Sequence, residues 1–266
     1  MKKINNLALS IFLLSSFHAS AQAIVPDLTE KTKWTVHNRT AEAITERDKK
    51  GVSLSEASGD GLMILKDIEF ADGTIEVDLK GRNVPQRSFV GLAFHIKQPN
   101  TYDAIYFRPF NFVNPDTARR VRAVQYVSMP GYPWEKLRQE HPGKYENKVN
   151  PAPNPDEWFH VKIIVAGKRI SVFVDNADKP CLEVEKLTPT TKGSVGLWVG
   201  NGANGSFSNL KITHAPTQAT SSTAIKYGDN PSAGNYFNTG DAKLYYAGRP
   251  VSVKGVTAAT HVARRF

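Results

Sequence analysis

The chain has 266 residues, 40% of them hydrophobic, and a formal net charge of +9, a composition typical of a globular protein. Between residues 24 and 215 the basic excess is small, with 26 Lys and Arg against 23 Asp and Glu, so charge gives no case for a nucleic-acid partner. No phosphate-binding glycine loop, dinucleotide fingerprint or zinc-type spacing occurs, and the single cysteine, Cys181, excludes a disulfide within the chain.

The N-terminus has the pattern of a secretory signal. Lys2 and Lys3 precede an apolar run at residues 7–17, which is too short to span a bilayer, and residues 21–23 read Ala-Gln-Ala. We therefore expect a signal peptide at residues 1–23, export to the periplasm or the extracellular space, and no membrane span after cleavage.

Short strand-like runs separated by turn residues follow one another from residue 34 to residue 213, with hardly any helical periodicity. They predict strands at residues 34–38, 52–56, 61–65, 74–80, 89–96, 102–107, 122–127, 158–166, 169–175, 194–199 and 207–213. Eleven such strands predict an all-β domain at residues 24–215, an antiparallel jelly-roll sandwich of two sheets.

Polar side chains share one parity on several of these strands. Because side chains alternate between the two faces of a strand, residues 88–96, 102–110 and 122–128 place apolar residues on one face and small or polar residues on the other. Residues 73–82 follow the same rule. The polar parity carries Glu76, Asp78, His95, Tyr106, Arg108 and Gln125. This face suits a hydroxyl-rich ligand, and it equally fits the solvated outer face of an antiparallel sheet.

Two aromatic features are predicted to lie beside this face. Trp198 falls on the non-core parity between Gly196 and Gly200, which predicts an accessible indole. Residues 130–155 lose the alternation, are rich in proline and contain Trp134. We expect this segment to be an irregular functional loop that helps to wall a pocket.

The composition changes after residue 215. Residues 216–224 read as a polar linker, and only residues 243–246 look strand-like beyond it. We expect residues 216–266 to form a linker and a poorly structured tail.

A resemblance to concanavalin A-like jelly rolls is carried by four segments: GTIEVDLKGR, SFVGLAFHI, YDAIYFRPF and GSVGLWVGNGANGSFSNLKI. Within that group the chain resembles the laminin G-like and 3-keto-disaccharide hydrolase type domains of exported bacterial proteins. The resemblance covers most of residues 34–213 and implies that carbohydrate is bound or processed on the concave sheet.

The tail carries a second, partial resemblance. The segment KYGDNPSAGNYFNTGDAKLYY is similar to the start of some exported α/β-hydrolase domains, yet no Gly-x-Ser-x-Gly nucleophile elbow occurs in the chain. One hypothesis is therefore a truncated relative of a two-domain protein, in which the sandwich is an accessory module of a lost hydrolase.

The preferred interpretation is a carbohydrate- or glycoside-binding sandwich, with Asp78, Tyr106, Gln125, Trp134 and Trp198 contacting the ligand. The alternative is an enzyme acting on keto-glycosides, in which His95 or Glu76 is the base and Arg108 stabilises an enolate. The carboxylate pattern of laminarinase-type glycosidases is incomplete, because Leu79, Lys80 and Gly81 follow Asp78. We assign no cofactor; calcium, which related lectin-like folds often hold, stays unassigned.

Overall fold

In the computed structural model, residues 23–216 are described, together with residues 236–238, 243–246 and 249–252. The chain divides into two units, Met1–Pro216 and Thr217–Phe266. The predicted signal peptide lies outside the described residues except for Ala23, which begins the first strand. That prediction is therefore untested by the fold.

Within residues 23–216 the structure describes fifteen strands and two short α-helices. The strands are β1 Ala23–Ile24, β2 Trp34–His37, β3 Ala41–Glu46, β4 Lys49–Ala57, β5 Gly61–Leu65, β6 Gly73–Lys80, β7 Val90–Gln98, β8 Thr101–Phe107, β9 Val124–Met129, β10 Glu146–Asn147, β11 Phe159–Ala166, β12 Arg169–Val174, β13 Leu182–Glu185, β14 Ser194–Val199 and β15 Ala203–His214. The helices are α1 Thr117–Arg120 and α2 Trp134–Glu140.

These strands form two antiparallel sheets. The eight-stranded sheet has the order β13-β12-β11-β6-β15-β4-β3, with β1 also paired to β15, and the seven-stranded sheet has the order β10-β9-β8-β7-β14-β5-β2. The predicted all-β antiparallel jelly-roll sandwich is confirmed.

The core lies between the sheets, and residues of alternate parity fill it. In the seven-stranded sheet Val90 and Phe107 face inward, and in the eight-stranded sheet Val77 and Phe159 do so; all four are almost completely buried. The rings of Phe107 and Phe159 meet edge to face with their centroids 5.3 Å apart, a preferred aromatic geometry that joins the two sheets. The face that points away from this core is called the outer face of each sheet.

The hairpin β11–β12 shows how local sequence produces this pattern. Val165 pairs with Ile170 across the turn, and Gly167 in the turn has a φ of +59°, a conformation that glycine adopts at no steric cost. The β-branched residues of both strands that share this parity are buried, as expected where a half-buried strand lies on a core.

The segment between β9 and β11 contains more regular structure than its sequence suggests. Residues 134–140 form α2, whose buried Leu137 anchors the helix, and β10 adds a two-residue edge strand to β9. The prediction of an irregular loop is wrong here, because seven helical residues with one buried leucine are too short to give a recognisable helical period.

The second unit contains a small three-stranded antiparallel sheet. Its strands are β16 Tyr236–Asn238, β17 Lys243–Tyr246 and β18 Arg249–Ser252. Only the central strand was expected from the sequence. Among the residues that the structure describes, no helix has the length and apolar character needed to cross a membrane.

Candidate ligand site

A single row of side chains crosses the outer face of the seven-stranded sheet. The strand registers place Trp198 opposite Gly91, Gly91 opposite Tyr106, Tyr106 opposite Gln125, and Gln125 opposite Glu146. The row therefore runs from β14 through β7, β8 and β9 to β10.

Gly91 lets the two aromatic residues of this row touch. A Cβ atom at Gly91 would lie 2.1 Å from the carbonyl oxygen of Ile105 and 2.8 Å from the Cβ of Tyr106, so the backbone of β8 fills the space that a side chain would need. The ring centroids of Tyr106 and Trp198 lie 4.8 Å apart. At Gly91 the backbone of β8 and this aromatic contact therefore leave no room for a ligand.

Arg108 lies immediately after β8, and its guanidinium lies on the outer face of the seven-stranded sheet, beside the row. Its Nη2 donates to the hydroxyl of Tyr106 at 2.6 Å and to Oε1 of Gln125 at 3.1 Å, and its Nη1 donates to the carbonyl oxygen of Arg122 at 2.9 Å. The guanidinium carbon also lies 4.8 Å from the centroid of the Tyr106 ring, within the range of a cation–π contact.

Burial at this position affects two ionisable groups. Arg108 is only 6% exposed, and burial lowers the pKa of its guanidinium, which stays charged because its ordinary pKa is so high. Burial also raises the pKa of Tyr106 to about 12. The Tyr106 hydroxyl thus accepts from Arg108 and keeps its own proton for donation.

Two further residues, Tyr102 of β8 and Asp60, are linked to the row through Trp198. The indole Nε1 of Trp198 donates to the hydroxyl of Tyr102 at 3.1 Å, and that hydroxyl donates to Oδ2 of Asp60 at 2.9 Å. Burial, the largest effect, raises the pKa of Asp60. Tyr102 shares the parity of Tyr106 and could have been found from the strand pattern, whereas Asp60 required knowledge that β5 pairs with β14.

The helix α2 borders the β10 end of the row. Arg138 of α2 makes a two-point ion pair with Glu146, with nitrogen–oxygen distances of 3.1 and 2.7 Å. The same guanidinium lies 4.7 Å from the ring centroid of Trp134, which is 40% exposed. The exposed indole is thus held at the border of the candidate site, while Trp198 is buried at 4% exposure. The expectation of an accessible Trp198 is wrong, because Phe89 packs beside Gly200 and closes that side.

His95 does not belong to this site, and its predicted placement there is wrong. Against β14, strand β7 has one extra residue, because Ala93 pairs with Gly196 whereas Ile96 pairs with Ser194. His95 lies within this bulge with a φ of 51°, and a one-residue bulge reverses the side-chain parity. Nε2 of His95 bonds the carbonyl oxygen of Ala71 at 2.8 Å, and the ring is 1% exposed.

The side chain of His95 instead joins an internal polar cluster. Its Nδ1 lies 2.9 Å from Nζ of Lys186 and 3.4 Å from Oδ2 of Asp103, and the hydroxyl of Tyr126 donates to Oδ1 of Asp103 at 2.7 Å. Burial lowers the pKa of Lys186, against the opposing effect of Asp103. We refer to His95, Asp103, Tyr126 and Lys186 as the internal cluster.

Glu76 and Asp78 are also separated from Arg108, because β6 belongs to the eight-stranded sheet. Both carboxylates lie on the outer face of that sheet, where Asp78 accepts from Lys49 at 2.7 Å and from Asn209 at 2.6 Å and bonds His160 at 2.8 Å. The prediction that these carboxylates share a face with Arg108 is wrong. Within the described residues no group of three or more His, Cys, Asp or Glu is arranged to hold a metal ion.

The structure therefore brings together Tyr106, Arg108, Gln125 and Trp198, places Trp134 at their border, and excludes Glu76, Asp78 and His95 from the group. Two packed antiparallel sheets, one with an aromatic and guanidinium row on its outer face, define a concanavalin A-like β-sandwich.

The chain belongs to the family of 3-keto-alpha-glucoside-1,2-lyase-like domains, whose model matches residues 27–213. This confirms the resemblance drawn from the strand segments. The match ends before the tail, so the resemblance of the tail to a hydrolase start is not confirmed.

Solved structures with the same fold include the carbohydrate-binding module CBM66 from Bacillus subtilis, with a TM-score of 0.50 and 18% identity, covering 70% of this chain and 99% of that one. A galectin-like fold protein from Bacillus subtilis has a TM-score of 0.49 and 13% identity over 73% of this chain and 96% of that one. A putative glycosyl hydrolase from Parabacteroides distasonis has a TM-score of 0.44 and 14% identity over 69% and 89%. No curated protein sequence matches the chain closely enough to count as a relative.

Proposed function

We propose that the protein binds a carbohydrate or glycoside on the outer face of its seven-stranded sheet, at the row that contains Tyr106, Arg108, Gln125 and Trp198. The observation that carries this proposal is the hydrogen-bonded contact between a buried guanidinium, a phenol and an amide beside a tryptophan. Membership of a family named for keto-glucoside chemistry supports a glycoside as the ligand.

The chemistry of the row fits the two surfaces of a sugar. Sugar hydroxyls need donors and acceptors, which Arg108, Tyr106 and Gln125 supply at one end and Asp60 supplies at the other. The apolar C–H face of a sugar needs an aromatic ring, which the exposed Trp134 supplies at the border of the row. A sugar that touches Arg108 or Trp198 must displace the atoms that cover them, so we expect binding to change the intrinsic tryptophan fluorescence.

The geometry does not favour the enzyme interpretation in the form expected from the sequence. Its two candidate bases are His95, which lies inside the sandwich, and Glu76, which lies on the other sheet. A general base must come within hydrogen-bonding reach of the proton that it removes. Neither residue can meet that requirement at a ligand held by Arg108 on the outer face of the seven-stranded sheet.

Export and the choice of partner are further parts of this proposal. The basic, apolar and small-residue segments at residues 1–23 support export through a signal peptide to the periplasm or the extracellular space. The near balance of charge between residues 24 and 215 supports sugar rather than nucleic acid as the partner. An accessory role beside a hydrolase domain stays a prediction.

Trp198→Phe is expected to weaken binding by about tenfold, or about 1.4 kcal/mol. The variant loses ring area that packs on Tyr106 and the indole N–H that donates to Tyr102, so the row is held less firmly in place. The measurement is calorimetry with a panel of methyl glycosides and disaccharides. Trp34→Phe is the matched control, since Trp34 is equally buried and its indole N–H donates to the backbone carbonyl oxygen of Asp27 at 2.9 Å, away from the row.

The control is expected to bind within about twofold of the natural chain, a difference of less than 0.5 kcal/mol. Thermal melts of both variants give the stability that each substitution costs. Equal affinity of the natural chain and the Trp198 variant, with both folded, would contradict the proposed site.

A further inference from the structure

The end of the row nearest β10 carries an excess of positive charge. Arg108, Arg122 and Arg138 surround it, and Glu146 is the one carboxylate that pairs with any of them among the described residues. Glu146 lies 2.7 Å from Arg138 and 3.8 Å from Arg122. One negative charge thus faces three positive charges.

Arg108 is the least compensated of these three arginines. Its described hydrogen-bond partners are a phenol, an amide oxygen and a backbone carbonyl oxygen, all neutral, and no carboxylate of residues 23–216 pairs with it. A buried charge without an opposite charge is costly, and buried ions in proteins are usually paired. The remaining positive charge is therefore available to a ligand.

The guanidinium also keeps donors for that ligand. Arginine has five N–H donors, and three of those of Arg108 are used by described residues. The Tyr106 hydroxyl, which accepts one of these three bonds, can turn its proton toward the same point. Hydrogen bonds from a charged donor to an oxyanion are about twice as strong as neutral ones.

We propose that the ligand is a sugar with an anionic substituent, a carboxylate or a sulfate ester, whose oxyanion is bound by Arg108 with support from Arg122 and Arg138. This inference rests on the proposed function, since it names the class of sugar recognised at the same site. It adds that the row discriminates between sugars by charge.

The test compares sugars that differ only in the charged group. Calorimetry would use methyl β-D-glucoside against methyl β-D-glucuronide, and glucose against glucose 6-sulfate; the two pairs separate carboxylate from sulfate ester. At least one anionic sugar is expected to bind about tenfold tighter than its neutral partner at low salt, with the preference shrinking as salt screens the charges.

Variants test whether the preference for anionic over neutral sugars depends on Arg108. Arg108→Gln is expected to reduce it to within about threefold, and Arg122→Gln, at a side chain that is 44% exposed, to reduce it partially. Arg47→Gln removes the same charge from the turn between β3 and β4 of the other sheet, where Arg47 pairs with Glu157, and should leave the preference unchanged. Thermal melts check folding, and the Arg122 variant keeps the test valid if the Arg108 variant does not fold.

The outcomes separate this inference from the function on which it rests. Binding of neutral and anionic sugars with equal affinity would overturn the anionic class and leave a carbohydrate site. A preference that survives both Arg108→Gln and Arg122→Gln would overturn the role of this cluster. Failure of every sugar to bind would overturn the proposed function itself.

Discussion

Asp103→Asn is expected to lower the free energy of unfolding by about 3–5 kcal/mol, the cost of removing one partner from a buried ion pair. Asp103 is 1% exposed, accepts from Tyr126 at 2.7 Å and lies 3.9 Å from Nζ of Lys186. Asparagine keeps the shape of the side chain but cannot balance the ammonium of Lys186. The measurement is equilibrium unfolding in urea at neutral pH.

Two further variants sharpen this test. Asp116→Asn is the matched control, because Asp116 is exposed and caps α1, and asparagine caps helices as well as aspartate does. Asp103→Asn combined with Lys186→Met should recover part of the loss, since it removes both charges, and the double-mutant cycle measures their coupling. A loss below about 1 kcal/mol for Asp103→Asn would contradict a structural role for the internal cluster.

The second large effect is a pH dependence at Asp78. Burial opposes ionisation of this carboxyl and is the largest single effect, but hydrogen bonds from His160, Lys49 and Asn209 together lower its pKa from 3.8 to about 2. A carboxyl with a lowered pKa stabilises the fold above its unfolded pKa. That contribution, about 2 kcal/mol, is lost as the pH falls from about 4 to about 2.

The partner of Asp78 titrates in the opposite direction. The hydrogen bond that His160 donates to the carboxylate of Asp78 raises the pKa of His160 above 6.5, so this contribution is complete below pH 6.5 and is lost as the pH rises through the higher folded value. The pair is therefore most stabilising between about pH 4 and pH 6.5.

Urea unfolding across pH tests both statements. Asp78→Asn should be less stable than the natural chain near pH 5 and should show a shallower fall in stability between about pH 4 and pH 2. Asp116→Asn again serves as the control. If the Asp78 variant has the same pH profile as the natural chain, the hydrogen bonds that His160, Lys49 and Asn209 donate do not lower the pKa of Asp78.

Strand parity explains why much of the fold could be predicted from the sequence. Alternation in residues 88–94, 102–107 and 122–127 is a local property, and Val90, Phe107 and Tyr126 face the core as their positions indicate. The closing strands at residues 194–213 carried the resemblance to a jelly roll, which the family match confirms.

The alternation of side chains along a strand does not show to which of the two sheets the strand belongs. The segment GTIEVDLKGR resembles the other strands in its alternation, yet its strand β6 pairs with β11 and β15, which lie far along the chain. Such pairing is decided by packing of the whole sandwich. Glu76 and Asp78 were therefore placed on the wrong sheet, although their outward orientation was correct.

The error at His95 has a different origin. A bulge of one residue reverses every assignment beyond it, and here it turns an imidazole from the outer face into the interior beside Asp103 and Lys186. The residues that flank His95 in the sequence, Phe94 and Ile96, give no sign of the bulge. By contrast, Tyr106, Arg108, Gln125 and Trp198 lie together because the four adjacent strands β14, β7, β8 and β9 keep a regular register along the row.

Hydrogen–deuterium exchange with and without a saturating amount of the tightest-binding sugar tests the location of the proposed site most directly. Slower exchange is expected in β7, β8, β9 and β14, the four long strands of the row, with little change in β6, β11 and β12. Slower exchange confined to the eight-stranded sheet would contradict a ligand site at Arg108, and so would bound sugar that leaves the four strands of the row unprotected.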